Sequence, residues 1–356
     1  MRSTSALALV AALALAFAAP ADAQSRISIG IQQEPTSLDP TTDATAAINV
    51  MLAHNLYESL TTVDSTGSVQ PQLAESWDIS EDGRTYTFRL VEGATFHDGT
   101  PFNADSVVFS FERARAEDST NPRSATYKAV EEITRIDDHT VEMTLSAPDA
   151  FFLFDIAQGH GSIMSPDSAE ANATRPVGTG PFMYDAWTRG DRLRLVKNPD
   201  HRNADEVALD IVEFRFISDP AAASAALMAG ELDAFPGFPA PELIAQFEAD
   251  PRFNVIIAST EGEVILAMNN SRPPFDNITA RRAVSHAIDR EDIIEGAMYG
   301  LALPIGTFYP PHGPAYVDLT DRYPHDPELA REMFEEAGIL GDTLLLRVPP
   351  FPYATR

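Results

Sequence analysis

Isoleucine occupies every second position of "RISIGI", Arg26 to Ile31, and this two-residue period predicts a half-buried β-strand. The polar stretch Gln32 to Pro40 reads as the loop that leaves it. From Ala46 to Leu60 the period changes: Ile48, Met51, Leu52, Leu56 and Leu60 recur at helical spacing. Thr61 to Ser146 returns to short strands. "WDISEDGRTYTFRL", Trp77 to Leu90, predicts a hairpin turning at Glu81-Asp82-Gly83, with Tyr86, Phe88 and Leu90 on one face. "TVEMTLSA", Thr140 to Ala147, repeats the alternation through Val141, Met143 and Leu145. Between these strands, Asn103 is a good helix cap and Asp105 sits where the helix dipole favours a negative charge. Val107, Val108 and Phe111 form the apolar stripe of that helix, with Glu112 and Arg113 expected to face water.

The second part of the chain mixes both periods. Val177 to Asp200 predicts a glycine turn, a strand, an Arg-Gly-Asp turn and a second strand. Asp210 to Gly237 predicts strand, helix and strand, the helix opened by Asp219-Pro220 and stopped near Gly230. Glu263 to Asn270 reads as another strand, and Ala280 to Ala297 and Pro327 to Ala337 as helices. A last strand starts at Thr343 with no partner left in the sequence, so a truncated chain is expected. The pattern is that of an α/β protein with a β-rich section inside it.

The first residues change the picture. A positive start at Met1-Arg2, an apolar run from Ala6 to Ala19 and Ala21-Asp22-Ala23 predict a secretory signal peptide over 1–23, cleaved after Ala23. The run is too short for a comfortable membrane span. The chain has 356 residues with no cysteine, which excludes disulfides, thiolate metal sites, cysteine nucleophiles and lipid attachment through an N-terminal cysteine. The formal net charge is −28, from 53 acidic and 25 basic residues. Such a surface repels nucleic acid and anionic headgroups, so neither nucleic-acid binding nor direct membrane insertion is expected.

Candidate chemistry is sparse. His97-Asp98 is a pairing used by hydrolases and metal sites, but the other histidines offer no ligand spacing around it. A local turn contact is the expected role of His97. "VGTGPF", Val177 to Phe182, lacks the Lys-Ser/Thr of a phosphate loop, and a turn with positive φ at Gly178 or Gly180 is the simpler reading. No G-x-S-x-G is present. No metal, cofactor or catalytic residue is expected.

Several stretches, in one order, resemble a known family. They are Gln70 to Ala114 ("QPQLAESWDISEDGRTYTFRLVEGATFHDGTPFNADSVVFSFERA"), Pro176 to Phe182, Lys197 to His201, Asp219 to Ala234, Met268 to Glu291 and His325 to Gly338. Together they are similar to the family 5 periplasmic solute-binding proteins of ABC transporters, the dipeptide/oligopeptide type. The resemblance implies a two-lobed clamp of the type II kind. Lobe I would take 24–60 and 175–268, with an inserted β-rich subdomain at 61–174, and an incomplete lobe II would begin at 269. It implies a soluble, monomeric periplasmic receptor that captures short peptides between its lobes and delivers them to an inner-membrane ABC permease. Receptors of this fold for a nickel chelate, haem, an opine or an oligosaccharide are the alternative, and a secreted hydrolase using His97 is a remote one.

The resemblance also implies site residues. Glu34, Pro35 and Thr36, in the loop after the first strand, would face the ligand backbone, and Pro35 would offer it no N–H. Gly178 and Thr179 would line the same cleft, Phe109 would reach toward it, and Asn269 and Asn270 would sit at a hinge. The residues that take the two peptide termini in this family would lie beyond Arg356.

Overall fold

The computed structural model describes residues 24–43, 45–258, 262–311, 313 and 316–347; the expected signal peptide and the end of the last expected strand lie outside them. The chain forms two compact units, the first ending at Pro239 and the second beginning at Ala240.

The first unit contains β1 (Arg26–Ile31), α1 (Ala46–Leu52), β2 (Thr61–Val63), β3 (Val69–Pro71), β4 (Ala74–Ile79), β5 (Thr85–Leu90), α2 (Ala104–Arg115), α3 (Ser124–Lys128), β6 (Val130–Asp137), β7 (Thr140–Leu145), α4 (Phe152–Asp155), β8 (Phe182–Thr188), β9 (Arg192–Lys197), β10 (Ile211–Phe216) and α5 (Pro220–Met228). Its strands make two four-stranded sheets and a small β2–β3 pair. One sheet runs β1-β10-β9-β8, with β1 and β10 parallel and the other pairs antiparallel. Ile29 lies opposite Phe214, and Phe214 opposite Leu193. Leu193, Leu195 and Phe214 form a core with Ile48, Met51 and Leu52 of α1.

The other sheet is antiparallel, in the order β4-β5-β7-β6. The alternation at Tyr86, Phe88 and Leu90 meets the alternation at Val141, Met143 and Leu145, and both rows are buried. They pack with Ala104, Val107, Phe111 and Ala114 of α2. The α2 stripe is therefore shifted from the predicted one: Val107 and Phe111 are buried, while Val108 is only half-buried. The Asn103 side chain caps α2 by accepting from the Asp105 and Ser106 amides.

Other expectations fail for identifiable reasons. The helix read to Leu60 stops at Leu52, because Ala53 is extended and His54 adopts φ 61°. Leu56 and Leu60 are still buried, so an apolar period survived the loss of the helix. Arg113 faces water only in part, its side chain being 31% exposed. Its guanidinium reaches from α2 to the buried Asp39 carboxylate at 2.9 Å and to the Thr41 hydroxyl. After α5, Ala234 makes only an isolated parallel bridge beside Ile29 rather than a strand.

The second unit contains α6 (Ile244–Glu248), α7 (Ile278–Ala287), α8 (Arg290–Met298) and α9 (Pro327–Glu336). One helix was expected over Ala280 to Ala297. It divides because Ile288 is extended and Asp289 caps a new start by accepting from the Asp292 amide. His286 of α7 meets the Pro324 carbonyl through Nδ1 at 2.8 Å, and the Asp326 amide donates to the His286 carbonyl at 2.9 Å. The strand expected at Glu263 to Asn270 forms no ladder among the described residues, nor does Thr343 to Arg347. Alternating apolar side chains favour a pleated surface, but a strand exists only when its backbone groups find partners.

Phe88 tests the antiparallel sheet β4-β5-β7-β6, since it is fully buried and lies 6.2 Å from Tyr86 and 6.5 Å from Trp77 between ring centroids. Phe88→Ala should cost about 4 kcal/mol of stability. Urea denaturation followed by tryptophan fluorescence measures it, because the chain's two tryptophans, Trp77 and Trp187, both lie in the first unit.

Candidate functional site

The parallel pair β1 and β10 gives the first sheet a carboxyl edge, where open α/β sheets place their binding crevices. The loop after Ile31 leaves from that edge. The β8–β9 turn lies there too, since the Phe216 amide at the end of β10 donates to the Asp191 carbonyl at 2.9 Å. Sequence and sheet order thus bring Glu34, Pro35 and Thr36 beside Trp187, Arg189 and Gly190.

Both Glu34 carboxylate oxygens are engaged there. Oε1 accepts from the Trp187 indole and Oε2 from the Gly190 amide, each at 3.0 Å. The Arg189 guanidinium lies 3.3 Å from the Trp187 ring centroid and donates to the Pro35 and Thr36 carbonyls, each at 3.3 Å. Pro35 is buried. Thr36 is exposed and its hydroxyl donates to Asp43 at 2.6 Å. Phe109 is half-buried against the same core that Ile29 and Trp187 pack on.

Gly178 and Thr179 have different neighbours. The Gly180 and Phe182 amides donate to the Leu56 and Asn55 carbonyls at 3.0 and 2.9 Å. Neither Gly178 nor Gly180 has positive φ, contrary to the expectation from sequence. They are glycines because a Cβ at either position would overlap the Leu56 carbonyl oxygen. Thr179 is 2% exposed, and its buried hydroxyl has no hydrogen-bond partner among the described residues.

His97 belongs to this junction rather than to its own turn. Nδ1 accepts from the Gly178 amide at 3.2 Å, Nε2–H donates to the Gly180 carbonyl at 3.0 Å, and the His97 amide donates to the Gly178 carbonyl at 2.9 Å. Asp98 makes the local turn by accepting from the amide and hydroxyl of Thr100. Burial lowers the His97 pKa, which keeps the ring neutral and Nδ1 able to accept. With both ring nitrogens bonded to backbone, this imidazole is not free to act as a catalytic base.

Beside it lies a buried charge cluster that sequence reading missed. Arg202 grips Glu58 bidentately at 2.7 and 2.6 Å, and His201 Nε2 stands 3.7 Å from the same carboxylate. Burial alone would raise the Glu58 pKa, but the nearby His201 and the bidentate Arg202 guanidinium outweigh it and bring it to about 2. The signal available was the stretch Lys197 to His201, which carries part of the family resemblance and ends one residue before Arg202. Trp187 and Arg189 were also missed, because nothing local to an Arg-Gly-Asp turn announces a carboxylate more than a hundred residues upstream.

A separate cavity of about 230 Å³ opens beside α2, lined in part by Arg113, Asn121, Tyr127 and His160. Burial, with help from the Arg123 charge, lowers the His160 pKa to about 4; the Tyr127 hydroxyl lies in hydrogen-bond contact with its Nδ1 at 2.9 Å and donates to the His160 carbonyl at 3.1 Å. Asn269 and Asn270 lie in the second unit, where Asn269 Oδ1 accepts from the Ser271 amide and hydroxyl. Among the described residues no group of three His, Cys, Asp or Glu could hold a metal ion. No helix among them is long and apolar enough to cross a membrane.

Comparison with known proteins adds the following. The family model "Bacterial extracellular solute-binding proteins, family 5 Middle" matches residues 68–355. The chain is 31% identical to di/tripeptide-binding protein 1 of Pseudomonas aeruginosa (strain UCBPP-PA14), over 96% of this chain and 68% of that one. It is 32% identical to the glutathione-binding protein GsiB of Shigella dysenteriae serotype 1 (strain Sd197), over 94% of this chain and 65% of that one. The chain thus spans about two thirds of the length of these relatives. Its fold is similar to the crystal structure of a dipeptide binding protein from Pseudoalteromonas sp. SM9913 in complex with Met-Leu, with a TM-score of 0.77 and 29% identity over 88% of this chain and 66% of that one.

The Glu58 cluster gives a pH-dependent outcome. A carboxyl whose folded pKa is about 2, against an ordinary 4.5, adds stability that is fully present above pH 4.5 and is lost as pH falls through 2. Glu58→Gln should destabilise the first unit by about 3 kcal/mol at pH 7, by leaving Arg202 without its partner. Urea midpoints measured from pH 7 to pH 2.5 should show the gap between parent and variant narrowing below pH 4.5. A gap constant across that range would contradict this role.

Proposed function

Because this chain belongs to the bacterial extracellular solute-binding proteins of family 5, we propose that it is the periplasmic receptor of an ABC importer, a two-lobed clamp that captures short peptides and delivers them to an inner-membrane permease. It is a solute-binding protein and not an enzyme, and its α/β fold is that of periplasmic binding proteins of the type II kind. The observation that carries the ligand class is the match along nearly the whole chain to a di/tripeptide-binding protein. Cleavage after Ala23 would release the receptor from its signal peptide.

In this reading lobe I takes 24–60 and 175–268, the subdomain 61–174 is inserted in it, and lobe II begins at 269. The sheet β1-β10-β9-β8 supports the assignment, because its strands come from both sides of 61–174 while β4-β5-β7-β6 lies wholly inside that stretch. Lobe I offers the ligand the carboxyl edge of its sheet, with the Glu34–Thr36 loop at its rim and Phe109 beneath. The peptide lies extended, so that backbone pairing gives affinity while side chains are read loosely. Contacts from both lobes exist together only in the closed state, and so the ligand favours closure. Asn269 and Asn270 take up the backbone change between states.

Thermal-shift titration with di- and tripeptides, an opine and a nickel–histidine complex tests the reading. Peptide at a hundredfold excess over its Kd should stabilise the protein by about 2.7 kcal/mol. A rise in Tm with the opine or the nickel complex and with none of the peptides would replace peptides by that other solute.

A further inference from the structure

Arg189 stands in the β8–β9 turn at the carboxyl edge of the first sheet, and it is held in place. Trp187 supports one of its faces, with the Arg189 carbon 3.3 Å from the ring centroid. The Pro35 and Thr36 carbonyls take two of its five N–H groups, which leaves three. Its side chain is 55% exposed, while its neighbour Glu34 is 26% exposed. A cation already immobilised loses little further freedom when it binds, which is how preorganisation raises affinity.

The surrounding charges have been assigned elsewhere. Glu34 Oε1 stands 4.0 Å from Arg189, but that carboxylate accepts from Trp187 and Gly190 at 3.0 Å and is not in hydrogen-bond contact with the guanidinium. Asp191 lies 3.4 Å from Arg192, whose other end faces Glu213 at 3.6 Å. Asp43 accepts from the Thr36 hydroxyl. The chain as a whole carries a formal charge of −28, a field that opposes anionic ligands unless a local cation receives them.

We propose that Arg189, stacked on Trp187 and braced by the Pro35 and Thr36 carbonyls, is a specificity-determining residue that receives a carboxylate of the bound peptide. Glu34 then acts as a positioning residue: it fixes the loop and the indole under the guanidinium and is not the counter-ion of the ligand's ammonium. This rests on the peptide reading and names the chemistry that reading leaves open. The carboxylate belongs either to an acidic side chain or to the peptide C-terminus.

Isothermal titration of the purified protein with Ala-Glu-Ala, Ala-Gln-Ala and the C-terminal amide of Ala-Glu-Ala separates the two sources. The peptide that keeps the recognised carboxylate should bind about tenfold more tightly than the one that lacks it. Arg189→Gln should bring that ratio close to one, and Arg189→Lys should retain part of it. Because the readout is a ratio of affinities, general loosening of the loop does not reproduce it. An unchanged ratio in Arg189→Gln would overturn the assignment while peptide binding itself stood. Failure of all three peptides to bind the parent protein would overturn the peptide reading and this site with it.

Discussion

The close approach of Gly178 and Gly180 to the Leu56 carbonyl is the constraint on which the first unit depends. Three stretches distant in sequence meet there: the run from Asn55 to Glu58, the turn that begins at His97, and the lead into β8. A side chain at either glycine would force the backbones apart. With no side chain present, the Gly180 and Phe182 amides reach the Leu56 and Asn55 carbonyls, and His97 closes on the glycines from the other side. β8 is thereby anchored where it enters its sheet, and the turn before α2 is tied to the same point. The two sheets of the unit, each packed on its own hydrophobic core, share this junction.

Charge follows a related logic. The protein carries far more acidic than basic residues, yet key arginines are used inside the fold rather than to neutralise the surface. Arg202 is spent on Glu58, and Arg113 on Asp39; both carboxylates are buried, and each would be costly without its partner. Each pair also joins distant segments, Arg113 drawing α2 onto the loop after β1 and Arg202 drawing the loop after β9 onto the segment after α1. The negative excess is left on the surface, where it favours solubility and says little about the fold.

Much of the fold was legible because its local signals agreed. The Glu81-Asp82-Gly83 turn between alternating runs, the Asn103 cap and the Asp219-Pro220 helix start each combine a backbone requirement with a matching hydrophobic period. The helix read through Leu60 failed because burial of Leu56 and Leu60 can be satisfied without a helix, and the period records only burial. Glu263 to Asn270 failed for the complementary reason: its pattern suits a strand, but a ladder also needs a partner that the pattern does not specify. Gly178 and Gly180 were legible as special and misread in kind, since sequence does not distinguish a glycine needed for positive φ from one needed for close approach. His97, Arg113 and Glu58 act through partners dozens of residues away, and no local spacing carries that information.

The same distinction bears on how a receptor of this kind reads its ligand. A loop that leaves the carboxyl edge of a sheet is free to move unless something holds it, and a mobile loop must lose entropy each time it binds. Here the holding is done by Glu34, the residue whose charge first suggests ligand contact, through the Trp187 indole and the Gly190 amide. Removing that carboxylate would free the loop and the platform together, which would weaken any binding at this edge whether or not Glu34 touches the ligand. Sensitivity of binding to Glu34 alone therefore does not identify it as a ligand group. What identifies a contacting group is a change in which ligands are preferred, and at this edge the exposed, braced cation is Arg189.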